Sequence, residues 1–207
     1  MNRAVQSQHM PQSKVAAAAR CLFDGGVVFL PTDTVFGLAA LPSRTDAVSR
    51  IFQLKARPSQ KNLPVMVSSV DQLVKIGAQI NDRVERLASS PFCPGPLSIA
   101  VGLNERATPS WLRGRDELAF RIPNDDFLLA LLDEVGPLLV TSANRSGEGT
   151  ARTSEEAVDQ LSGRPDLVIG GRECETVPST LVNCRFSTPV IERIGAISPD
   201  DLSPYVT

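Results

Sequence analysis

The 207-residue sequence is poor in the side chains on which several common active sites depend. It contains one histidine, His9, which argues against a Ser-His-Asp triad and against a zinc site. The four cysteines are far apart and form no Cys-x-x-Cys pair, which favours reduced, partly buried thiols. A cysteine nucleophile stays open, although the histidine base that it would use is lacking. The sequence therefore predicts no metal site built by the protein.

Aromatic side chains and net charge are also scarce. Aromatic residues make up 5% of the chain, with one Trp and one Tyr, which gives little support for a base-stacking platform. The formal net charge of −2 argues against a protein that binds nucleic acid mainly through its overall charge. Any cationic site must therefore be local, and the basic residues that would form it are Lys55, Arg57, Lys61, Arg121 and Arg193.

Long hydrophobic runs are absent. No apolar run approaches the roughly 18 residues of a membrane span. The polar stretch Met1–Ser13 lacks the hydrophobic centre of a signal peptide, so the sequence predicts a cytoplasmic protein without membrane association. With 42% hydrophobic residues, the chain can bury the core of one domain. We expect a flexible tail over residues 1–12 and one folded domain over residues 13–207.

Apolar periodicity and capping residues predict several helices. One begins with Ser13 as its cap and stops at Gly25-Gly26, and a second begins at Thr45 and ends before Pro58. The remaining helix signals are caps at Ser69, Asn81 and Asn124, a stop at Gly136-Pro137, and a Thr153–Glu156 capping box.

Short apolar runs between these helices predict about seven strands. They include Leu97–Val101, Glu117–Ile122, Leu167–Ile169, Leu181–Val182 and Val190–Ile194. Alternating helices and strands without an internal repeat predict one α/β domain, in which helices flank a twisted, open, mixed sheet.

One apolar run, Val27–Leu30, ends abruptly in the polar loop Pro31–Leu38. Thr32, Asp33 and Thr34 place several oxygen atoms in a small volume at the end of a strand, where α/β proteins usually bind small ligands. A polar turn that merely closes the strand is the alternative.

Three later segments have a similar character: Lys55-Ala56-Arg57-Pro58 with Lys61 after it, Thr141–Gly147, and Pro178–Val182. The first segment follows a predicted helix, where the helix dipole alone would also favour cations. Standard nucleotide loops are missing, since no GxxxxGK[ST] or GxGxxG pattern is present. If ATP binds, side chains must hold much of its triphosphate charge.

Together these four motifs resemble the YrdC-like family of threonylcarbamoyl-adenylate synthases, whose features are a PTDTxYGL-type loop, a KxR pair, an SxN pair and a later Ser-Thr before a strand. The resemblance extends from Val15 to Ser198. It implies the YrdC-like open sheet and condensation of L-threonine, bicarbonate and ATP to threonylcarbamoyl-AMP and pyrophosphate, with Mg²⁺ accompanying the ATP. Implied partners are downstream tRNA-modification proteins, with tRNA contact indirect or weak. The end at Thr207 is that expected for a short, single-domain form.

The resemblance also implies roles for individual residues. Lys55 and Arg57 would be catalytic, and the residues implied for ATP are Arg57, Lys61, Asn62, Asn144, Thr153 and Arg193. The residues implied for threonine are Thr34, Arg121, Ser142 and Ser179. Surface ion pairs are the alternative for Arg121 and Arg193, and helix capping is the alternative for Thr153.

Two positions depart from the family pattern. Phe36 stands where tyrosine is usual, and Asn183 stands where aspartate is common. Two other functions stay open at this point: an RNA-binding module with this fold, and a carbamoyl-transfer protein that uses another acceptor.

Overall fold

The computed structural model describes residues 12–58 and 62–206. Within these ranges the chain forms a short 3₁₀ helix, Ser110–Leu112, and seven α-helices. The α-helices are α1 (Gln12–Phe23), α2 (Thr45–Leu54), α3 (Val70–Lys75), α4 (Asp82–Ala88), α5 (Asp126–Val135), α6 (Ser154–Asp159) and α7 (Pro199–Val206). None of these helices is both long and apolar enough to cross a membrane.

The strands of the same ranges form one mixed sheet, as the sequence predicts. They are β1 (Val28–Leu30), β2 (Gly37–Ala40), β3 (Val65–Met66), β4 (Leu97–Gly102), β5 (Glu117–Arg121), β6 (Leu138–Ser142), β7 (Leu167–Val168), β8 (Thr180–Asn183) and β9 (Val190–Arg193). Their order across the sheet is β7-β1-β2-β6-β3-β5-β4-β8-β9. The pairs β1–β7, β3–β5 and β4–β8 are parallel, and the others are antiparallel.

Side-chain alternation along the strands divides the core between the two faces of the sheet. In β1, Phe29 joins the larger core cluster, whereas Val28 and Leu30 join a second cluster with α1 and α5. The strand residues of this second cluster come from β1, β2, β3 and β6. Helices α1 and α5 therefore pack over one half of that face, and their cluster does not extend to β5, β4, β8 and β9.

The predicted helices are largely confirmed. The buried face of α1 consists of Val15, Ala18, Ala19 and Leu22, and α2 spans the predicted range. The cap of α5 was predicted at the wrong residue, because Asp125 Oδ1, and not Asn124, accepts from the amide of Leu128. The amide of Asn124 instead donates to Asp33.

The strand prediction misses β2, and helix α7 is also not predicted. Strand β2 has the sequence Gly-Leu-Ala-Ala, which carries no β-branched side chain, and all four residues are buried. The sheet consequently has nine strands in the described ranges instead of about seven. Of the predicted tail, residues 1–11, including His9, lie outside the described residues, and Gln12 is already the first residue of α1.

Candidate active site

A cavity of about 330 Å³ lies over β5, β4 and β8, beside the half of the sheet that α1 and α5 cover. Its floor includes Ala100 of β4 and Ala119 of β5, which are paired across the two strands. These small side chains leave room above the sheet for a ligand. Seven of the residues implied by the resemblance line this cavity: Thr34, Arg57, Asn62, Arg121, Ser142, Ser179 and Arg193.

The loop after β1 brings Thr34 to the cavity. The hydroxyl of Thr32 accepts from the amide of Thr34 at 3.0 Å and donates to the carbonyl of Val35 at 2.7 Å. Thr32 therefore stabilises the turn from within. Thr34 Oγ1 accepts a 2.7 Å hydrogen bond from Arg121 Nη1, which ties the loop to the end of β5.

Arg121 lies at the centre of the site and is only 5% exposed. Its Nε donates to the carbonyl of Gly95 at 2.9 Å, and its Nη2 lies 2.7 Å from Asp33 Oδ1. Burial lowers the pKa of the guanidinium, and Asp33 opposes this effect. The alternative of a surface ion pair for Arg121 is therefore wrong, because the side chains of Arg121 and Asp33 are both mostly buried.

The Arg121–Asp33 contact is an ion pair without a well-directed hydrogen bond. Arg121 Nη2 and Asp33 Oδ1 are both buried and have no hydrogen-bond partner of good geometry among the described residues. The short ion pair compensates these two buried charges, and a carboxylate ligand would supply a further acceptor at this guanidinium.

Strand register brings Arg193 to the same place. Ile99 of β4 is opposite Phe120, so Ser98 lies opposite Arg121, and Ser98 is paired in turn with Leu181. Leu181 is paired with Arg193 across β8 and β9. Arg121 and Arg193 therefore belong to one row that runs across four strands.

Hydroxyl groups connect this row. The hydroxyls of Ser98 and Ser179 lie 2.8 Å apart, and Arg193 donates to the hydroxyl and to the carbonyl of Ser179, both at 3.0 Å. Arg193 is an exposed residue, but partial burial of its guanidinium and the nearby Arg121 lower its pKa. The alternative of an ion pair with Glu192 is wrong, since Arg193 forms no ion pair with any acid of the described ranges. Arg121 thus lies close enough to Arg193 to disfavour its charge, and such a pair of neighbouring guanidinium groups is typical of an anion site.

Arg57 and Asn62 lie on another wall of the cavity. Arg57 Nη2 donates to the carbonyl of Asn62 at 3.1 Å, and burial lowers the pKa of Arg57. Its Nε is buried and has no hydrogen-bond partner in the described part of the chain. Lys61, the third residue implied for this group, lies outside the described residues.

Lys55 is buried behind the cavity and does not line it. Its ammonium donates to the carbonyls of Ser142 and Asn144 and to Asn144 Oδ1. Lys55 therefore stabilises the turn after β6. The alternative that its charge merely caps the C-terminus of α2 does not apply, because its acceptors belong to Ser142 and Asn144. Burial and the neighbouring Arg57 lower its pKa to about 8. A direct contact of Lys55 with phosphate stays a prediction.

Asn144 and Thr153 also lie away from the cavity wall. The Asn144 amide donates to the carbonyls of Arg145 and Glu148, and Thr153 forms the expected capping box with Glu156 at the start of α6. Both residues thus have local structural partners, and their contact with ATP stays a prediction.

Sequence reasoning did not assign roles to Asp33, Ser98 or Arg115. Asp33 stands inside the first motif, between two threonines, and that position was a usable signal. Ser98 and Arg115 line the cavity, but neither stands in a recognisable motif. Their positions become clear only in the folded structure.

The two departures from the family pattern have clear structural settings. Phe36 is 2% exposed and stacks on Phe29 with ring centroids 5.0 Å apart, so ring packing is present without a phenolic hydroxyl. Asn183 donates to Glu117 Oε2 at 3.2 Å and to Glu192 Oε1 at 2.7 Å. A neutral amide therefore separates two carboxylates.

Asn183→Asp should destabilise the protein by about 1–3 kcal/mol at neutral pH, because a third carboxylate would replace the shared donor. Urea denaturation of the variant measures this loss. The loss should shrink as the pH falls towards 4, where protonation of a carboxyl group restores a donor. Asn104→Asp is the matched control, since exposed Asn104 uses its side-chain oxygen only as an acceptor for Arg106. Equal stabilities of the two variants would contradict the expectation.

The cysteines are free thiols, as expected. Burial raises the pKa of Cys93 and of Cys184 to about 11, so both thiols are protonated near neutral pH. A protonated thiol is a poor nucleophile, and these two cysteines therefore do not supply covalent catalysis.

Comparison with known proteins supports the family resemblance that the sequence motifs indicate. The family model Sua5/YciO/YrdC, described as "Telomere recombination", matches residues 20–195. A protein of Bacillus subtilis (strain 168) named threonylcarbamoyl-AMP synthase is 33% identical over 196 residues, which span 93% of this chain and 56% of the relative.

Two solved structures are also similar. Sua5 of P. abyssi, complexed with L-threonine, has a TM-score of 0.86 at 29% identity, over 96% of this chain and 59% of the other. YciO of E. coli has a TM-score of 0.82 at 25% identity, over 94% of each chain. The chain therefore spans little more than half the length of the Bacillus relative and of the P. abyssi structure.

Proposed function

The chain belongs to the Sua5/YciO/YrdC family, and on this premise we propose that it is an L-threonylcarbamoyladenylate synthase. Its substrates would be L-threonine, bicarbonate and ATP, and its products threonylcarbamoyl-AMP and pyrophosphate. The observation that carries the proposal is the buried Arg121 at one end of the cavity, beside the hydroxyls of Thr34 and Ser179. This arrangement suits an amino acid that has both a carboxylate and a hydroxyl group.

Arg121 would bind the threonine carboxylate through Nη2, whose present neighbour Asp33 is not aligned for a hydrogen bond. The hydroxyls of Thr34 and Ser179 would contact the substrate hydroxyl or its carbamate. Because these partners are already held by Arg121 and Arg193, little reorganisation is needed when the substrate binds.

The reaction would proceed in two steps. The threonine amine takes up bicarbonate as a carbamate with loss of water, and a carbamate oxygen then attacks the α-phosphorus of ATP as the bond to pyrophosphate breaks. Arg57 and Arg193 would neutralise the phosphate oxygens, and their preorganised charges would favour the transition state over the free reactants.

Mg²⁺ would accompany ATP. The described ranges contain no group of three histidine, cysteine or acidic side chains that could hold a metal. The cavity does contain two carboxylates, Glu117 and Glu192. This donor set fits an ion carried mainly by the phosphates, with at most one or two protein carboxylates nearby. When bound, the ion would reduce the negative charge of the phosphates, and Glu117 and Glu192 are the cavity carboxylates that could lie near it.

Threonine should be the preferred amino acid in an assay of pyrophosphate release with ATP, bicarbonate and Mg²⁺. Valine should react at least about a hundredfold more slowly, because buried polar groups that bind a hydroxyl are left unpaired by an analogue without one. Serine lacks only a methyl group, worth about 1 kcal/mol, and should react about fivefold more slowly.

The product should be identified by mass spectrometry as threonylcarbamoyl-AMP. Equal rates with valine and threonine would overturn the proposed specificity. Pyrophosphate release that does not depend on an amino acid would instead favour carbamoyl transfer to another acceptor. We place the enzyme in the cytoplasm, with proteins of tRNA modification as the consumers of its product.

A further inference from the structure

Arg115 is a cation of the cavity that the proposed mechanism does not yet use. It lies between the 3₁₀ helix and β5, and its half-buried side chain lines the cavity. The side chain makes neither a hydrogen bond nor an ion pair with any residue of the ranges 12–58 and 62–206. Burial lowers the pKa of this guanidinium, and no described acid offsets the effect.

The acids that follow Arg115 in sequence are engaged elsewhere. Asp116 and Glu117 lie 3.4 Å and 3.7 Å from the guanidinium nitrogens of Arg185. Glu117 also accepts from Asn183. The guanidinium of Arg115 therefore faces the cavity without a neighbouring acid of the described ranges to neutralise it. Removing a guanidinium from water without a partner is unfavourable, and an anionic ligand would offset this cost.

Arg115 and Arg121 approach the cavity from different positions along β5. Arg121 is the last residue of this strand, and the extended backbone places its Cα atom about 13 Å from that of Glu117, the first residue. Arg115 precedes Glu117 by two residues and also lines the cavity. Arg115 therefore approaches the cavity near the start of β5, and Arg121 approaches it near the end.

The strand register connects the Arg115 region with Arg57. Val65 of β3 is paired with Phe120 of β5 in parallel, so the segment before β3 runs beside the start of β5. This segment contains Asn62, whose carbonyl accepts from Arg57. Arg57 and Asn62 thus lie on the side of the cavity from which Arg115 approaches.

We propose that Arg115 binds the polyphosphate of ATP, together with Arg57, while Arg121 binds the amino acid. The inference rests on the proposed function in taking ATP as the ligand. Four arginines of the described ranges line the cavity: Arg57, Arg115, Arg121 and Arg193. One amino-acid carboxylate cannot neutralise four cations, whereas a triphosphate carries several negative charges. The planar guanidinium of Arg115 can donate to two phosphate oxygens at once.

Calorimetric titration of the full chain with ATP, with inorganic pyrophosphate and with L-threonine tests this role. Arg115→Ala should weaken the binding of ATP and of pyrophosphate by about tenfold or more, which is typical of a lost charge-assisted hydrogen bond. Threonine binding without nucleotide should not change. Arg113→Ala is the matched control, because Arg113 is exposed and does not line the cavity.

Arg115→Gln provides a second variant that keeps the polar reach of the side chain without its charge. It should also weaken ATP binding, and the loss should be larger at low salt, where charges are least screened. ATP and pyrophosphate affinities equal to those of Arg113→Ala would overturn the proposal, and so would an equal loss of threonine binding. The two proposals can fail separately. If the wild type binds ATP but releases no pyrophosphate with threonine, the proposed function fails. A loss of ATP binding in the Arg115 variants would still support the phosphate contact in that case.

Discussion

Arg121→Ala is expected to lower kcat/KM for threonine by about 10²- to 10³-fold, the equivalent of roughly 3–4 kcal/mol. The substitution removes the carboxylate contact and the donor to Thr34 together. It also leaves Asp33 as a mostly buried charge without its counter-ion, which should lower the free energy of unfolding by about 3–5 kcal/mol. Initial rates of pyrophosphate release and urea denaturation measure the two effects.

A double variant separates the two effects. Arg121→Met with Asp33→Asn removes both charges, so much of the stability should return while threonine use stays low. Arg121→Lys should also be impaired, because a single ammonium cannot contact Gly95, Thr34 and a substrate carboxylate as the guanidinium does. Wild-type kcat/KM in the double variant would contradict a direct role of Arg121 in binding threonine.

Lys55→Met is expected to have the second-largest effect. It removes the donor to three acceptors around Ser142 and Asn144, so the free energy of unfolding should fall by about 2–4 kcal/mol. Activity should fall as well, since Ser142 lines the cavity. Lys75→Met is the matched control, because Lys75 is exposed on α3. An active Lys55→Met enzyme with only reduced stability would limit Lys55 to a structural role.

The pH dependence gives an independent test of the same contact. Because the pKa of Lys55 is about 8, a rise in pH through this value removes a proton and leaves two donors for three acceptors. Activity should therefore decline above about pH 8. The unfolded chain keeps this proton up to an ordinary pKa of about 10.5. Raising the pH therefore relieves the cost of burying the charge, and the free energy of unfolding should rise with pH between about 8 and 10.5. A parallel loss of stability and activity in that window would contradict the assignment.

Local sequence signals were sufficient for most of the helices, although not for α7, and for the polar loop that follows β1. The apolar face of α1 and the capping box of α6 follow from short-range spacing, and both are confirmed. Asn124 and Asp125 are both good caps, and the choice between them depends on Asp33, which lies 91 positions away from Asn124. Tertiary contact, and not propensity, decided this detail.

The contacts between site residues that are distant in sequence could not be predicted, because they depend on strand pairing in the folded sheet. Arg193 faces Arg121 only because β8 and β9 are added beside β4 in one register. Asp33 was visible as part of a polar loop, but its pairing with Arg121 depends on the position of β5. Arg115 looks like a surface residue between Gly114 and Asp116, and nothing in that local context distinguishes it from Arg113.

The parallel pairing of β4 with β8 joins distant parts of the chain. Leu97 meets Thr180 only when a chain segment of roughly 80 residues closes, which costs loop-closure entropy. Strand β9 forms one outer edge beside β8, and sheet edges open more readily than sheet centres. A ligand that contacts Arg121 and Arg193 together would slow amide hydrogen exchange in β8 and β9 most, because it joins this edge to the centre of the sheet.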